Sequence, residues 1–213
     1  ASATPIAGTP LGELAVGTLI KIQENGAPVE YLIVNQGLPS SMYDASCDGY
    51  WVLRKDIAEM RAWDSSNNDY KNSDIHAYLN GSWLSRYSAG VLSQIKQVKI
   101  PYHNGIGYEG SVASGANGLS CKIFLLSGYE VGWTTSDESD LPHDGTKLSY
   151  FSSGTGSAAN NKRIANYNGS ATYWWLRSPN TYGFNAIWGV YPNGNPSFYH
   201  DIDPGGVRPA LIL

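Results

Sequence analysis

Two apolar runs, separated by a stretch rich in Gly, Asn and aromatic residues, dominate the end of the chain. The runs are YWWLRSP at 173–179 and GVRPALIL at 206–213. The residues between them, 180–203, include six aromatic residues and four Asn but no Lys, Arg or Glu. Aromatic side chains give a large contact area for few rotatable bonds, and small polar residues adapt their hydrogen bonds. This contrast predicts a rigid frame that carries a display segment, residues 180–203.

The display segment contains the candidate contacts with a ligand. Successive side chains of a strand point to opposite faces, so only one parity of residues 186–191 can be displayed. We expect Ala186, Gly189 and Val190 to serve packing or turns, and the Asn- and Gly-containing loops to be more exposed. The candidate ligand-binding residues are Tyr182, Phe184, Asn185, Trp188, Tyr191, Asn193, Asn195, Phe198, Tyr199 and His200.

The flanks of the display segment are predicted to be structural. Trp174, Trp175 and Leu176 are expected in the core. Arg177 and Arg208 lie in apolar surroundings, where a guanidinium needs a partner, and its planar fork fits carboxylates or backbone carbonyls. We therefore expect both arginines to act as structural clamps.

Charge and hydropathy argue against two classes of partner. Charged residues make up 15% of the chain, against about a quarter in an average soluble protein, and the net charge is −4. Nucleic-acid recognition starts from a basic patch, so we expect no nucleic-acid partner. No run approaches the roughly 18 apolar residues of a membrane span, and the first residues do not resemble a signal peptide, so we expect no membrane insertion.

The length of 213 residues suits one compact domain. We assign residues 1–16 to an N-terminal extension or linker and residues 17–213 to the domain. A start at Ala1 rather than Met indicates a processed chain or a fragment. Cys47 and Cys121 match neither a disulfide framework nor a zinc site, and we expect free or buried thiols.

The first half of the chain predicts a hairpin and a further apolar element. VGTLIKIQENG at 16–26 and VEYLIVNQG at 29–37 indicate two strands with a turn at Asn25 and Gly26. YWVLRKDI at 50–57 adds a strand or a short helix to the same core.

Helices and loops are predicted in the middle of the chain. One helix begins at Asn72 or Ser73, and a second, short helix covers 89–97. Residues 102–120 are rich in Gly, Ser and Asn and predict a long loop. A buried strand is expected within 121–131.

Short strands return at YWWLRS, AIWGVY and GVRPALIL. The fold class is therefore α+β, with short antiparallel strands, two short helices and long loops. The C-terminal strand is expected to pair with the N-terminal hairpin and to bring the termini close together.

Several longer motifs resemble one family, which is common among phage and prophage proteins of gut Firmicutes. Its members look like C-type-lectin-fold proteins, akin to the variable proteins of diversity-generating retroelements. The resemblance covers nearly the whole chain from about Gly17. The motifs are SSMYDASCDGYWVLRKDI (40–57), NSDIHAYLNGSWL (72–84), IKQVKIPY (95–102), SGANGLSCKIFLLS (114–127), NKRIANYNGSATYWWLRSP (161–179) and GVRPALIL (206–213).

The resemblance implies a C-type lectin-like scaffold that displays residues 180–203 to a protein or glycan on a bacterial surface. In retroelement-diversified relatives Asn codons are the favoured targets of mutagenesis, which converts them to a limited set of other residues. Most residues of the display segment belong to that set, but Trp188 does not. The implied location is a virion, the extracellular space or a cell surface. The alternative is a structural virion or filament subunit that buries the same surface against its neighbours.

Catalytic and metal-binding readings find little support in the sequence. No Ser/His/Asp or HExxH spacing connects the histidines, and the acidic residues at 137–140 predict a solvated turn. Formylglycine-generating enzymes share the lectin fold and use a cysteine pair, but the two cysteines here lack the matching motif. The EPN and QPD signatures of calcium-type lectins are absent, and WDSSNND at 63–69 is only superficially similar to WND. We expect a non-catalytic protein without cofactor or metal. The histidines and acids considered are His76, His103, His143, His200, Asp137, Glu138 and Asp140.

Overall fold

The computed structural model describes residues 10–213, and it confirms the mixed α+β class. Short strands dominate this part of the chain. The helices are α1 (Asp74–Leu79), α2 (Ala89–Leu92) and α3 (Ser157–Asn161). The strands are β1 (Leu19–Glu24), β2 (Ala27–Gln36), β3 (Tyr50–Arg54), β4 (Glu59–Arg61), β5 (Val98–Ile100), β6 (Tyr102–Asn104), β7 (Ser111–Ala113), β8 (Leu119–Cys121), β9 (Ile123–Phe124), β10 (Asn166–Tyr167), β11 (Ser170–Ala171), β12 (Trp174–Pro179), β13 (Ala186–Val190), β14 (Pro196–His200), β15 (Gly205–Val207) and β16 (Ala210–Ile212).

The first five-stranded sheet has the order β1-β2-β3-β16-β9 and is antiparallel throughout. The predicted hairpin of β1 and β2 is confirmed. Its turn residues Asn25 and Gly26 have φ values of 49° and 77°. Asn and Gly are the residues that adopt this left-handed conformation at least cost, which explains why the chain reverses there. The run at 50–57 supplies β3, a strand.

The second five-stranded sheet has the order β14-β13-β12-β15-β4. Its pairings are antiparallel except for β12 and β15, which run parallel. The display segment contributes the hairpin of β13 and β14, and β14 is an edge strand. Three further pairs, β5 with β8, β6 with β7 and β10 with β11, form separate two-stranded sheets.

The C-terminal run does not form the single strand expected from GVRPALIL. It divides into β15 in the second sheet and β16 in the first, on either side of Arg208 and Pro209. Strand β16 pairs with β3 and β9, so it reaches the N-terminal hairpin only through β3. Leu11 and Leu213 line the same surface pocket, which places the two described ends of the chain close together.

The start of the first helix is as predicted, and three other features of the helices and loops differ from the prediction. Helix α1 begins after Ser73, whose Oγ accepts the His76 N–H as an N-cap, as expected. The helix predicted over 89–97 is only the single turn α2, and α3 was not predicted. The long loop predicted over 102–120 is wrong, since it contains β6, β7 and most of β8. These strands have three residues each, which is too short to show an alternation of apolar and polar residues.

One cluster of buried apolar side chains connects the two large sheets. It includes Trp51 of the first sheet and Trp174 of the second, both fully buried. Residues 1–9 of the predicted N-terminal extension lie outside the described residues, while Leu11 and Leu14 pack against the core cluster. None of the helices in the described part of the chain is long and apolar enough to cross a bilayer.

Candidate functional site

The frame beside the display segment is built by strand β12. Trp174, Trp175 and Leu176 have no exposed surface, as predicted. Their strand lies in the middle of the second sheet, and the two indole N–H groups donate to the backbone carbonyls of Arg163 (2.9 Å) and Arg61 (2.8 Å). Burial of large aromatic surface and these two bonds together hold β12 in place.

Arg177 is a fully buried clamp, which confirms the prediction. Its guanidinium donates to both carboxylate oxygens of Glu130, over 2.6 and 2.7 Å. The remaining N–H groups donate to the carbonyls of Pro101, Leu125 and Asp144. One arginine thereby joins β12 to three other segments, and a bidentate pair of this kind compensates the cost of burying two charges.

Arg208 is the second predicted clamp, and it binds backbone carbonyls. Its Nε donates to Arg54 (2.9 Å) and its Nη1 to Arg163 (3.3 Å). The guanidinium carbon lies 4.7 Å from the centre of the Trp174 ring. Burial lowers the pKa of Arg208 to about 10. Arg208 lies between β15 and β16, which belong to different sheets. Its hydrogen bonds attach this junction to the backbone at Arg54 and Arg163.

A buried carboxyl group lies next to the Arg177 clamp. Both carboxyl oxygens of Asp144 are 2.9 Å from the Ser178 hydroxyl, and Asp144 is fully buried. Burial raises the pKa of Asp144 to about 7, against the opposing effect of Arg177. The Asp144 carboxyl and the Ser178 hydroxyl have no contact with solvent, so they cannot touch a ligand at the surface. They can bind a proton and stabilise the local fold.

Asn68 organises the loop that opens the display segment. Its side-chain Nδ2 donates to the carbonyl oxygens of Asn180 (3.2 Å), Gly183 (2.7 Å) and Ala186 (3.2 Å). Its Oδ1 accepts the N–H of Gly107 at 2.9 Å. Asn68 is completely buried. A single amide thus ties two loops together, and it adds to the backbone bonds that the Asn180 and Ala186 carbonyls already accept.

Three aromatic side chains on the two loops that Asn68 joins are exposed. Tyr108 is 68% exposed, Tyr182 83% and Phe184 49%. The rings of Tyr108 and Phe184 are 5.4 Å apart, with an angle of 56° between them. We call Tyr108, Tyr182 and Phe184 the aromatic platform. Its loops are in direct contact, because a Cβ on Gly107 would lie 3.0 Å from the Gly183 carbonyl oxygen.

Trp188 is not displayed, contrary to our expectation. Its side chain is 2% exposed, and its indole N–H is 3.3 Å from the carbonyl oxygen of Asp140. Ile187, on the opposite face of β13, has no exposed surface either. Residues 187–190 of β13 are all buried, so neither face of this part of the strand is displayed.

Tyr199 is half-buried and stacks on the buried Tyr173, with ring centres 4.1 Å apart. The Tyr173 hydroxyl donates to the Ile187 carbonyl at 3.2 Å. Burial raises the pKa of Tyr199, and the phenol of Tyr191 adds a smaller effect in the same direction. Tyr191 is 43% exposed. By the strand register Tyr191 and Tyr199 belong to the same face of the display hairpin, and Tyr173 packs against Tyr199 from outside the hairpin.

The other candidate residues divide between exposed positions and turn formation. Phe198 is 51% exposed and packs edge-on against Trp188. The Asn193 side chain accepts the Asn195 N–H at 3.0 Å, and the Asn195 side chain accepts from Asn160 at 2.6 Å. These two asparagines therefore shape the turn between β13 and β14. Asn185 and His200 are exposed.

The prediction from sequence missed Asn68 and Tyr108. Asn68 lies in WDSSNND, where only a calcium motif was considered, and nothing local marks this asparagine as buried. Tyr108 had a usable signal, because an aromatic residue between Gly107 and Gly110 repeats the composition of the display segment.

The histidines and cysteines have separate surroundings. His76 packs against Tyr70, and His143 is exposed and stacks on Tyr129. Burial raises the pKa of Cys47 to about 11 and that of Cys121 still further, and both are buried free thiols as predicted. Within residues 10–213, no three His, Cys, Asp or Glu side chains cluster in a way that could hold a metal ion.

Comparison with known proteins identifies a family of unknown function. The model of a domain of unknown function, DUF6273, matches residues 48–213. That range begins just before β3 and includes the clamps, Asn68, the aromatic platform and the whole display segment. No curated protein and no solved structure matches the chain. The chain belongs to the DUF6273 family.

Proposed function

We propose that this chain is a non-catalytic ligand-binding or adhesion protein whose aromatic platform contacts a protein or glycan on a bacterial surface. The observation that carries the proposal is the exposure of Tyr182, Phe184 and Tyr108 on loops that the buried Asn68 holds in place. Exposed apolar rings on a fixed backbone lose little conformational entropy on binding, which favours a role in recognition.

The chemistry of the platform suits an uncharged ligand. The display segment has no Lys, Arg or Glu, and its exposed Asn185 adjoins Phe184, while Tyr108 on the other loop is followed by the exposed Glu109. Aromatic faces stack on the apolar faces of sugar rings or on apolar side chains, while an amide exchanges hydrogen bonds with hydroxyls. A bacterial cell-surface glycan or protein fits this set better than a highly charged polymer.

We further propose a C-type lectin-like fold, a phage or prophage origin, and a location on a virion, in the extracellular space or at a cell surface. The support is the set of long motifs from residue 40 to residue 213 described above. Leu11 and Leu213, near the two described ends of the chain, line one pocket beside β1, which also agrees with this proposal. An experimental structure that superposes on a C-type lectin would test the fold.

Binding to bacterial cells and to isolated cell-wall glycans tests the function. Phe184→Ala and Tyr182→Ala are expected to weaken binding about tenfold or more each, as for aromatic residues at the centre of an interface. Leu38→Ala is the matched control, since Leu38 is a 41% exposed apolar residue outside the platform. Equal binding by all three variants and the unaltered protein would refute a role for the platform.

A structural subunit of a virion or filament is the second candidate. It is favoured by the same exposed aromatic side chains, because a surface of this kind can also be buried against a neighbouring subunit. Light scattering across a wide concentration range distinguishes the two candidates. Growth into large polymers supports the subunit, whereas a monomer or a small closed oligomer supports the binding protein.

A further inference from the structure

The edge strand β14 has a definite pattern of backbone groups that face away from the sheet. Tyr191 donates to the Asn195 carbonyl, and Asp201 donates to the Asn185 carbonyl, both within the display hairpin. The register pairs Gly189 with Ser197 and Ile187 with Tyr199 between these two bonds. In an antiparallel ladder alternate residues bond to the same neighbour, so the odd-numbered residues of β14 bond to β13.

The even-numbered residues Pro196, Phe198 and His200 consequently direct their backbone groups to the open edge. These three residues have six backbone positions, an N–H and a C=O each, and two of the six need no hydrogen-bond partner from another molecule. Pro196 has no N–H, and the carbonyl of His200 already accepts the Asp203 N–H at 3.0 Å. The groups that remain are both those of Phe198, the N–H of His200 and the carbonyl of Pro196. Because β14 is an edge strand and its register with β13 uses the odd-numbered residues, these groups have no partner strand among residues 10–213.

We propose that β14 pairs antiparallel with β14 of a second copy of this chain, around a two-fold axis at Phe198. In this register the two Phe198 residues exchange both of their hydrogen bonds. Each His200 N–H then donates to the Pro196 carbonyl of the other copy. The missing N–H of Pro196 falls opposite the His200 carbonyl, which Asp203 already occupies. All outward groups are satisfied, and no group is buried without a partner.

This complementarity is specific to a second copy of the same strand. An unrelated extended peptide would place an N–H opposite the occupied His200 carbonyl and would find no donor at Pro196. Shifting the register by two residues removes the match in the same way. The strand therefore pairs with a second copy of itself without leaving an outward donor or acceptor unmatched, as an interface with two-fold symmetry allows.

The side chains along the edge agree with this pairing. Residues 195–200 include no Lys, Arg, Asp or Glu, so of the residues that commonly protect an exposed edge strand only Pro196 is present. Phe198 is 51% exposed and rests against Trp188. Pairing places the two Phe198 rings side by side and continues the apolar row of the sheet across the axis.

The resulting assembly is closed. A two-fold interface consumes the free edge of both copies, so it gives a dimer with one continuous sheet rather than a growing filament. The pairing goes beyond the proposed ligand binding and does not depend on it. It would remove Phe198 and His200 from the ligand surface and would leave the aromatic platform of each copy in place.

Sedimentation or light scattering of the full chain across a wide concentration range tests the pairing. We expect a monomer–dimer equilibrium. Phe198→Pro removes an outward N–H at a position where an edge strand tolerates proline, and it is expected to raise the dimer Kd about tenfold or more. Ile202→Ala is the control, because Ile202 is 62% exposed but lies outside β14, and it should leave the Kd unchanged.

Hydrogen exchange of the backbone amides tests the pairing without any substitution, so it still applies if the Phe198→Pro variant folds poorly. In the unaltered protein the Phe198 and His200 amides should exchange more slowly as the concentration rises, while those of Ser197 and Tyr199 should be slow at every concentration. A monomer over the whole range overturns the proposal. So does a dimer in which the Phe198 and His200 amides exchange rapidly.

Discussion

Asn68 and Gly183 are 115 positions apart in the chain, yet the Asn68 side chain donates a 2.7 Å hydrogen bond to the Gly183 carbonyl. The same amide binds two further carbonyls of the display segment and accepts from Gly107. The conformation of the loop that bears Tyr182 and Phe184 is therefore set by a residue far from it in sequence. The aromatic platform depends on this one buried side chain.

Asn68→Ala tests that dependence. The substitution leaves the Gly107 N–H and three carbonyls without this partner, and we expect a loss of about 2–4 kcal/mol in the free energy of unfolding. Amide exchange should also become faster in residues 180–186. Asn67→Ala is the control, because Asn67 bonds only within its own turn. Equal stability of the two variants in denaturant titrations would contradict the role given to Asn68.

Gly189 is expected to resist any larger side chain. A Cβ at this position would lie 2.2 Å from the Tyr173 ring and 2.6 Å from the Trp174 carbonyl oxygen. Gly189→Ala should therefore lower the free energy of unfolding by about 1–3 kcal/mol or more through overpacking. Gly183→Ala is the matched control, since its Cβ would come no closer than 3.7 Å to a neighbour. Thermal unfolding of both variants measures the difference. A Gly189→Ala variant as stable as the unaltered protein would show that Tyr173 can move aside.

Trp188 and Phe198 face each other across the display hairpin but should differ in their contribution to stability. Trp188 is 2% exposed, and Trp188→Ala is expected to cost about 3–5 kcal/mol. Phe198 is 51% exposed, and Phe198→Ala should cost about 1 kcal/mol in the monomer. Denaturant titrations at a concentration too low for dimers compare the two. A similar cost for both would mean that the hairpin does not bury Trp188 as described.

Asp144 should make stability depend on pH. Burial raises the pKa of Asp144 to about 7 from the ordinary value of 3.8, so the folded protein retains a proton that the unfolded chain has released between these values. The free energy of unfolding contributed by this group therefore falls as the pH rises from about 4 to about 7, and it is constant outside that window.

The Asp144→Asn variant isolates this contribution. Its amide oxygen can still accept from Ser178, but it does not titrate. The difference in stability between the unaltered protein and the variant should favour the unaltered protein increasingly as the pH is lowered from about 7 to about 4. Urea titrations at several pH values measure it. A difference that does not vary with pH would show that Asp144 titrates normally.

Local chemistry was sufficient to predict several parts of the fold. The turn at Asn25 and Gly26 follows from residues that accept a positive φ, and the cap at Ser73 follows from its hydroxyl. Trp175 could be assigned to the core and Arg177 to a clamp, because a long apolar run must be buried and a guanidinium within it must be paired. These inferences need only a few neighbouring residues.

The partners of those residues could not be predicted in the same way. Glu130 lies in a different part of the chain from Arg177, and no local pattern selects it among the acidic residues. Similarly, GVRPALIL has the composition of one strand, but its two halves belong to different sheets. The choice depends on which long-range strands are free to pair, and this is a property of the assembled fold.

The candidate site shows the same division. The amino-acid sequence by itself determined that residues 180–203 contain short strands, tight turns and many aromatic residues within a mainly β chain. Only the tertiary structure decided that Trp188 is buried while Phe184 is exposed, and that Tyr108 joins the platform through Asn68. The physical reason is that turn and strand preferences act over a few residues, whereas the burial of a side chain depends on which distant segment covers it.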